Sequence, residues 1–224
     1  MLNLLRKRLR LRKVAAIISF MLLIAYGSMA SAAEDSNWWL RIGPGYIQFD
    51  EDVTLKAFGN TIPGANADMK NNAALIGEIG YRFAPNWSVA LTMGNPPKTK
   101  LTGSGTADAM GTLGKAKYGP AGVSLQYQFN EKGAFRPYLG VGLSYLKIFS
   151  SEDGAVQDLE IDDTWGPYFQ AGAEYWFGEG YGVFLDVKKL YLETDAKGNV
   201  GGAPAKAEVT LDPLIFQTGL VFKF

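Results

Sequence analysis

The side chains in this sequence that could do chemistry are charged rather than nucleophilic. Glu78, Arg82, Gln126, Glu174, Asp186 and Lys188 supply three carboxylates, two cations and an amide, a set suited to ion pairing or to acid–base work by carboxylates alone. The 224 residues include no His and no Cys. That removes Ser-His-Asp hydrolysis, thiolate nucleophiles, disulfides and nearly all zinc or copper sites. Two acidic runs, Asp50-Glu51-Asp52 and Asp158-x-Glu160-x-Asp162-Asp163, offer clustered oxygens. Neither has the ligand spacing or the glycine of a calcium loop, so they read as solvated loop charge. No catalytic residue, cofactor or metal is therefore expected, and the chain does not read as an enzyme.

The charged residues are positioned by strands. In Leu75–Phe83, Leu75, Gly77, Ile79, Tyr81 and Phe83 share one face, while Ile76, Glu78, Gly80 and Arg82 share the other. Ala121–Phe129 alternates in the same way, with Gln126 on its small, polar face. A period of two over this length is a strand signature. Such runs close on four aromatic-x-aromatic triplets, Tyr81-Arg82-Phe83, Tyr127-Gln128-Phe129, Tyr175-Trp176-Phe177 and Phe222-Lys223-Phe224, spaced 46, 48 and 47 residues apart. A short connection and a second alternating run follow each of the first three, and Trp39–Phe49 precedes them all. The count is eight strands, with short turns after the even ones and long polar, Gly-rich connections after the odd ones. This pattern predicts an all-β fold: an eight-stranded antiparallel transmembrane β-barrel with long extracellular loops, short periplasmic turns and the triplets at the periplasmic rim. A lipocalin-like soluble barrel is the alternative that the alternation alone leaves open. Charges on the inner faces would then meet across a narrow lumen as a polar plug.

The N-terminal segment fits an exported barrel. Six basic residues and no acid occur in 1–33, ahead of the apolar stretch Val14–Ala25 and the small residues Ser28–Ala33. This order marks residues 1–32 as a removable signal peptide and 33–224 as the barrel. Of the 22 basic residues 16 remain against 22 acidic ones, a net charge of −6 that disfavours nucleic acid as a partner. The expected partners are outer-membrane lipid, lipopolysaccharide and, through the terminal Phe224, the barrel-assembly machinery.

Pro137-Tyr138-Leu139-Gly140-Val141-Gly142 with Tyr145 and Ile148-Phe149, Asp163-Thr164-Trp165-Gly166, Leu211-Asp212-Pro213 and the closing Phe222-Lys223-Phe224 together resemble the OmpW family of small outer-membrane channels. The stretch Tyr118–Tyr127 is most similar to its alkane-uptake branch. Leu214 stands where many members carry Trp, and Asn95-Pro96-Pro97 replaces a more usual Thr-Pro. The resemblance implies passive uptake of small hydrophobic molecules, entering an apolar external funnel and leaving sideways through the barrel wall. Pro96 and Pro97, ending the third strand, and Gly119 and Pro120, beginning the fourth, are the candidates for such a lateral gate, since proline donates no ladder hydrogen bond. On the residues alone they equally well terminate short strands. Phe58, Leu146, Phe149, Trp165, Leu190 and Leu192 are the funnel candidates, or else a packed cap over the barrel end. A structural or adhesive barrel with a closed lumen is the competing function.

Overall fold

The computed structural model describes residues 36–50, 52–57, 60–178 and 180–224, so the expected signal peptide lies outside the described residues. In chain order the strands are β1 (Trp38–Gln48), β2 (Asp52–Ala57), β3 (Asn60–Thr61), β4 (Ala65–Met69), β5 (Asn72–Ala84), β6 (Trp87–Gly94), β7 (Lys98–Gly105), β8 (Thr112–Gln128), β9 (Phe135–Asp153), β10 (Gln157–Ile161), β11 (Thr164–Trp176), β12 (Tyr181–Leu190), β13 (Glu193–Val200), β14 (Ala203–Thr210) and β15 (Leu214–Lys223). Eight of them, β1, β5, β6, β8, β9, β11, β12 and β15, pair antiparallel in that order, and β15 returns to β1. The ladder therefore has no free edge, as a bilayer requires.

The pleat sets the two faces. Leu91, Val123, Leu125, Leu139, Leu143 and Leu185 point outward to the lipid, while Arg41, Glu78, Gln126, Glu174, Asp186 and Lys188 are buried inside. The four aromatic triplets lie at the strand ends joined by the short turns, and Trp38, Phe83, Trp87, Phe129, Phe135, Phe177 and Tyr181 are exposed there. The lumen is narrow enough that inward glycines are needed. A Cβ on Gly142 would lie 2.5 Å from the Tyr168 ring, and one on Gly140 would lie 2.7 Å from Gln170.

The opposite end differs from a set of irregular loops. Strands β10, β13, β14, β2 and β3 form a second, five-stranded sheet, while β4 and β7 extend the barrel wall along β8. Barrel strands β8 and β9 are 17 and 19 residues long and stay paired out to Gly114 and Asp153. Polar, Gly-rich composition concealed these strands because an external sheet buries little. Its apolar contact is a small cluster of Val53, Ala67, Leu113 and Ala207.

Two of the family-like motifs prove to be joints between barrel and external sheet. Asp163, before β11, accepts from the Lys147 ammonium (2.6 Å), the Ile148 N–H (2.7 Å) and the Tyr145 hydroxyl (2.7 Å). Asp212, held at φ 28°, accepts from the Leu192 N–H through its carboxylate (3.2 Å) and from Lys189 Nζ through its carbonyl (2.7 Å).

Candidate functional site

Three layers fill the barrel interior. Nearest the short turns, Trp176, Phe184 and Val221 pack together. Above them lies the polar layer. Arg41 is its centre: Nη1 donates to Glu78 (2.6 Å) and Gln126 (3.0 Å), Nε to Glu174 (2.8 Å), and Nη2 approaches Glu174 to 2.6 Å. Its guanidinium carbon lies 4.1 Å from the ring centre of Trp39 and 3.8 Å from that of Tyr138. Lys188 bonds Asp186 and lies 3.4 Å from Glu78. Thr92, Gln128, Trp176 and Tyr138 donate to the remaining carboxylate oxygens at 2.6 to 3.0 Å. Every carboxylate has a cation beside it, the arrangement that makes buried charge tolerable. The space left beside Arg41 is about 10 Å³, room for about one water.

Five of the six expected plug residues stand in that layer, and Arg82 does not. Arg82 is half-buried at the periplasmic mouth and joins the network only through Gln128 (2.6 Å). The reason is strand position: it lies four residues nearer the short turn than Glu78. Arg41 was missed, although Leu40 and Ile42 on either side of it carry the same alternation that marked Glu78.

The third layer is apolar. Ile47, Ile76, Tyr118, Leu146, Tyr168, Leu190, Leu192, Leu211 and Ile215 are buried against one another in the upper barrel. Three expected funnel residues, Leu146, Leu190 and Leu192, belong to it, packed as a layer. Phe58 lies outside the described residues. Phe149 and Trp165 are corrections. They are 55% and 70% exposed on the outer wall, because the pleat of β9 and β11 turns them away from the lumen.

The wall between β6 and β8 is interrupted where the prolines lie. The backbone N–H groups of even-numbered β8 residues face this side: that of Gln128 donates to the Asn86 carbonyl (2.8 Å) and that of Tyr118 to the Pro97 carbonyl (3.2 Å). Pro120 occupies the next such position and has no N–H to give. Regular pairing of β6 stops at Met93–Ala121 and resumes in β7 at Lys98–Lys117, with the register moved by one residue. Asn95, between them, turns its groups toward β5, donating to the Leu75 carbonyl (3.0 Å) and accepting from the Leu75 N–H (2.6 Å). On the other side of β8 the register with β9 also shifts, and the extra residue is Phe149. The Phe149 ring lies 2.9 Å from where a Gly119 Cβ would stand, with Pro96 at 3.4 Å. Gly119 and Pro120 thus sit inside a long strand rather than at its start. Pro96 and Pro97 link two strands of one wall rather than ending it. The seam is closed by Phe149 and Pro96 packed over Gly119.

Electrostatics at the extracellular strand ends are local. Lys147, the Ile148 N–H and Tyr145 together hold the Asp163 carboxyl down at about 2. The Lys98 ammonium likewise lowers Glu152. Other acids of the long run are paired singly, Asp162 with Lys197 (3.2 Å) and Asp158 with Asn199 (3.1 Å).

Known proteins share both the sequence and this architecture. A protein of Pseudomonas aeruginosa named dibenzothiophene metabolism operon protein PahQ is 40% identical over 192 residues, covering 86% of this chain and 90% of its own. Outer membrane protein AlkL of Ectopseudomonas oleovorans is 28% identical over 200 residues, covering 89% and 87%. AlkL solved in lipid bilayers superimposes with a TM-score of 0.67, over 87% of this chain and 93% of that one. The crystal structure of OprG from Pseudomonas aeruginosa gives 0.79 at 26% identity, over 84% and 96%. The OmpW family profile matches residues 35–224, and the chain belongs to that family of bacterial outer-membrane β-barrels.

Proposed function

We propose that this barrel admits small hydrophobic molecules, aliphatic or fused-aromatic hydrocarbons, and releases them sideways into the outer leaflet between β6 and β8. One observation carries the reading: the ladder between these strands lapses at Asn95 and Pro96 opposite Gly119 and Pro120, above a lumen filled by paired charges. An oily solute gains nothing from that charged layer, since desolvating its groups is expensive. A gap in the wall ladder facing apolar residues offers the cheaper route. The upper apolar layer gives such a solute a first contact, and its packing must loosen for passage. The name of the PahQ relative ties that protein to aromatic sulfur heterocycles, and here it suggests a flat aromatic cargo alongside alkanes. Lipopolysaccharide and outer-leaflet lipid are the surroundings, and Phe224 is the proposed signal to the assembly machinery.

The packed apolar layer favours a second reading, a structural or adhesive barrel whose lumen stays shut. Replacing Pro96→Val and Pro97→Thr separates the two. Under the transport reading, restored β6–β8 pairing slows hydrocarbon uptake by cells carrying the folded variant. An unchanged rate contradicts lateral exit.

A further inference from the structure

The outer wall just beyond the seam carries an arrangement that folding alone disfavours. Lys98 is paired directly with Lys117, and Lys100 with Lys115, on alternate rungs of β7 and β8 and so on the same face. Like charges facing each other across an antiparallel pair repel. The nearest acid is Glu152 on β9, 2.6 Å from Lys98 and 3.6 Å from Lys115. Lys100 and Lys117 have no ion-pair partner among the described residues. Four lysines against one glutamate leave a net +3 on one small face, in a chain whose residues 33–224 carry −6.

Height along the barrel says what this face meets. Phe129, in the periplasmic aromatic girdle, is twelve residues from Lys117 along one strand. At roughly 3.3 Å per residue and a tilt of about 40°, that is about 30 Å of height, a little more than the ~25 Å apolar band of such barrels. Lys117 and its partner Lys98 therefore stand at the level where headgroup phosphates begin, with Lys100 and Lys115 two rungs higher. Lys98, Lys100 and Lys115 are exposed and Lys117 is half-buried. Below them the wall is Phe149, Val123 and Leu143, which suits acyl chains.

We propose that Lys98, Lys100, Lys115 and Lys117 form a binding surface for the phosphorylated glycolipid headgroup of the outer leaflet, its phosphates bridging the opposed lysines. A bridging dianion turns each repelling rung into two charge-assisted contacts. This assignment does not depend on the transport reading.

The test uses the full barrel in detergent micelles and bis-phosphorylated lipid A as probe, with bound lipid counted by native mass spectrometry. Dephosphorylated lipid A and inorganic phosphate are the comparison ligands. The expected result is binding that weakens about tenfold or more in the Lys100→Gln/Lys117→Gln variant and further when Lys98 and Lys115 are also replaced by Gln. Dephosphorylated lipid A should bind no better to the wild type than to the variant. A Lys197→Gln/Lys206→Gln control, altered on the separate external sheet, should retain wild-type binding. Unaltered binding by the heat-modifiable Lys100/Lys117 variant would overturn the assignment. So would equal loss in the control, or equal affinity for the dephosphorylated lipid. Displacement of lipid A by millimolar inorganic phosphate alone, or binding of a sulfated polysaccharide in place of lipid A, would assign a soluble anion and overturn it too.

Discussion

Replacing Arg41 probes the polar layer at its centre. Arg41→Met removes the only cation hydrogen-bonded to Glu174 among the described residues, leaving it two neutral donors, Gln128 Nε2 (3.0 Å) and Trp176 Nε1 (2.7 Å). Glu78 loses one contact at 2.6 Å but keeps Lys188 at 3.4 Å, Thr92 and Gln126. The damage thus concentrates on one carboxylate left charged and unpaired in the lumen. Breaking a buried pair in this way costs about 3–5 kcal/mol, to which the lost stacking on Trp39 and Tyr138 adds about 1 kcal/mol. Adding Glu174→Gln removes the orphaned charge, so the double variant should recover most of the loss and retain a deficit of about 1–2 kcal/mol. Urea unfolding of the barrel in lipid vesicles, followed by tryptophan fluorescence, reads both numbers. A loss under about 1 kcal/mol for Arg41→Met, or strict additivity of Arg41→Met with Glu174→Gln, would refute an ion-pair network held together by Arg41.

Three further outcomes are expected. Phe149→Ala uncovers Gly119 on the outer wall, so hydrocarbon uptake should rise severalfold while unfolding stability falls by no more than about 1 kcal/mol, because lipid replaces the ring; slower uptake would place the ring in the pathway rather than over it. Because the folded Asp163 carboxyl is depressed, its contribution to the β9–β11 joint is complete above the ordinary carboxylate range and lost as pH falls through about 2; a carboxyl carbon titration with a midpoint at 4 or higher would contradict this. Gly142→Val drives a side chain into the Tyr168 ring, 2.5 Å from where its Cβ would stand, so no heat-modifiable barrel should form.

Much of this architecture was legible because one physical pattern, alternation, governs both faces of every barrel strand. Glu78, Glu174, Asp186 and Lys188 could be placed inward from their neighbours alone, and the aromatic triplets marked the periplasmic rim. The same rule would have found Arg41, flanked by Leu40 and Ile42. Phe149 obeys the same rule, facing outward with Leu139, Val141, Leu143 and Tyr145, so a place in the funnel ran against the alternation of its own strand. Trp165 misled for a different reason: a large ring near the loops suits a funnel or an interfacial belt equally, and only its pairing opposite exposed Tyr145 decides for the belt. The external sheet escaped notice because strands such as Glu193–Val200 are rich in charge and glycine, and their order comes from pairing with neighbours distant in sequence.

The claim that this barrel passes hydrophobic solutes is tested most directly by initial uptake rates in cells with and without the protein, at matched levels of other outer-membrane proteins. Labelled dodecane and dibenzothiophene serve as cargo and a small labelled sugar as control. Faster entry of both apolar solutes is expected, with no change for the sugar. Equal rates for dodecane and dibenzothiophene with and without the protein, or an equal gain for the sugar, would contradict hydrophobic-solute passage.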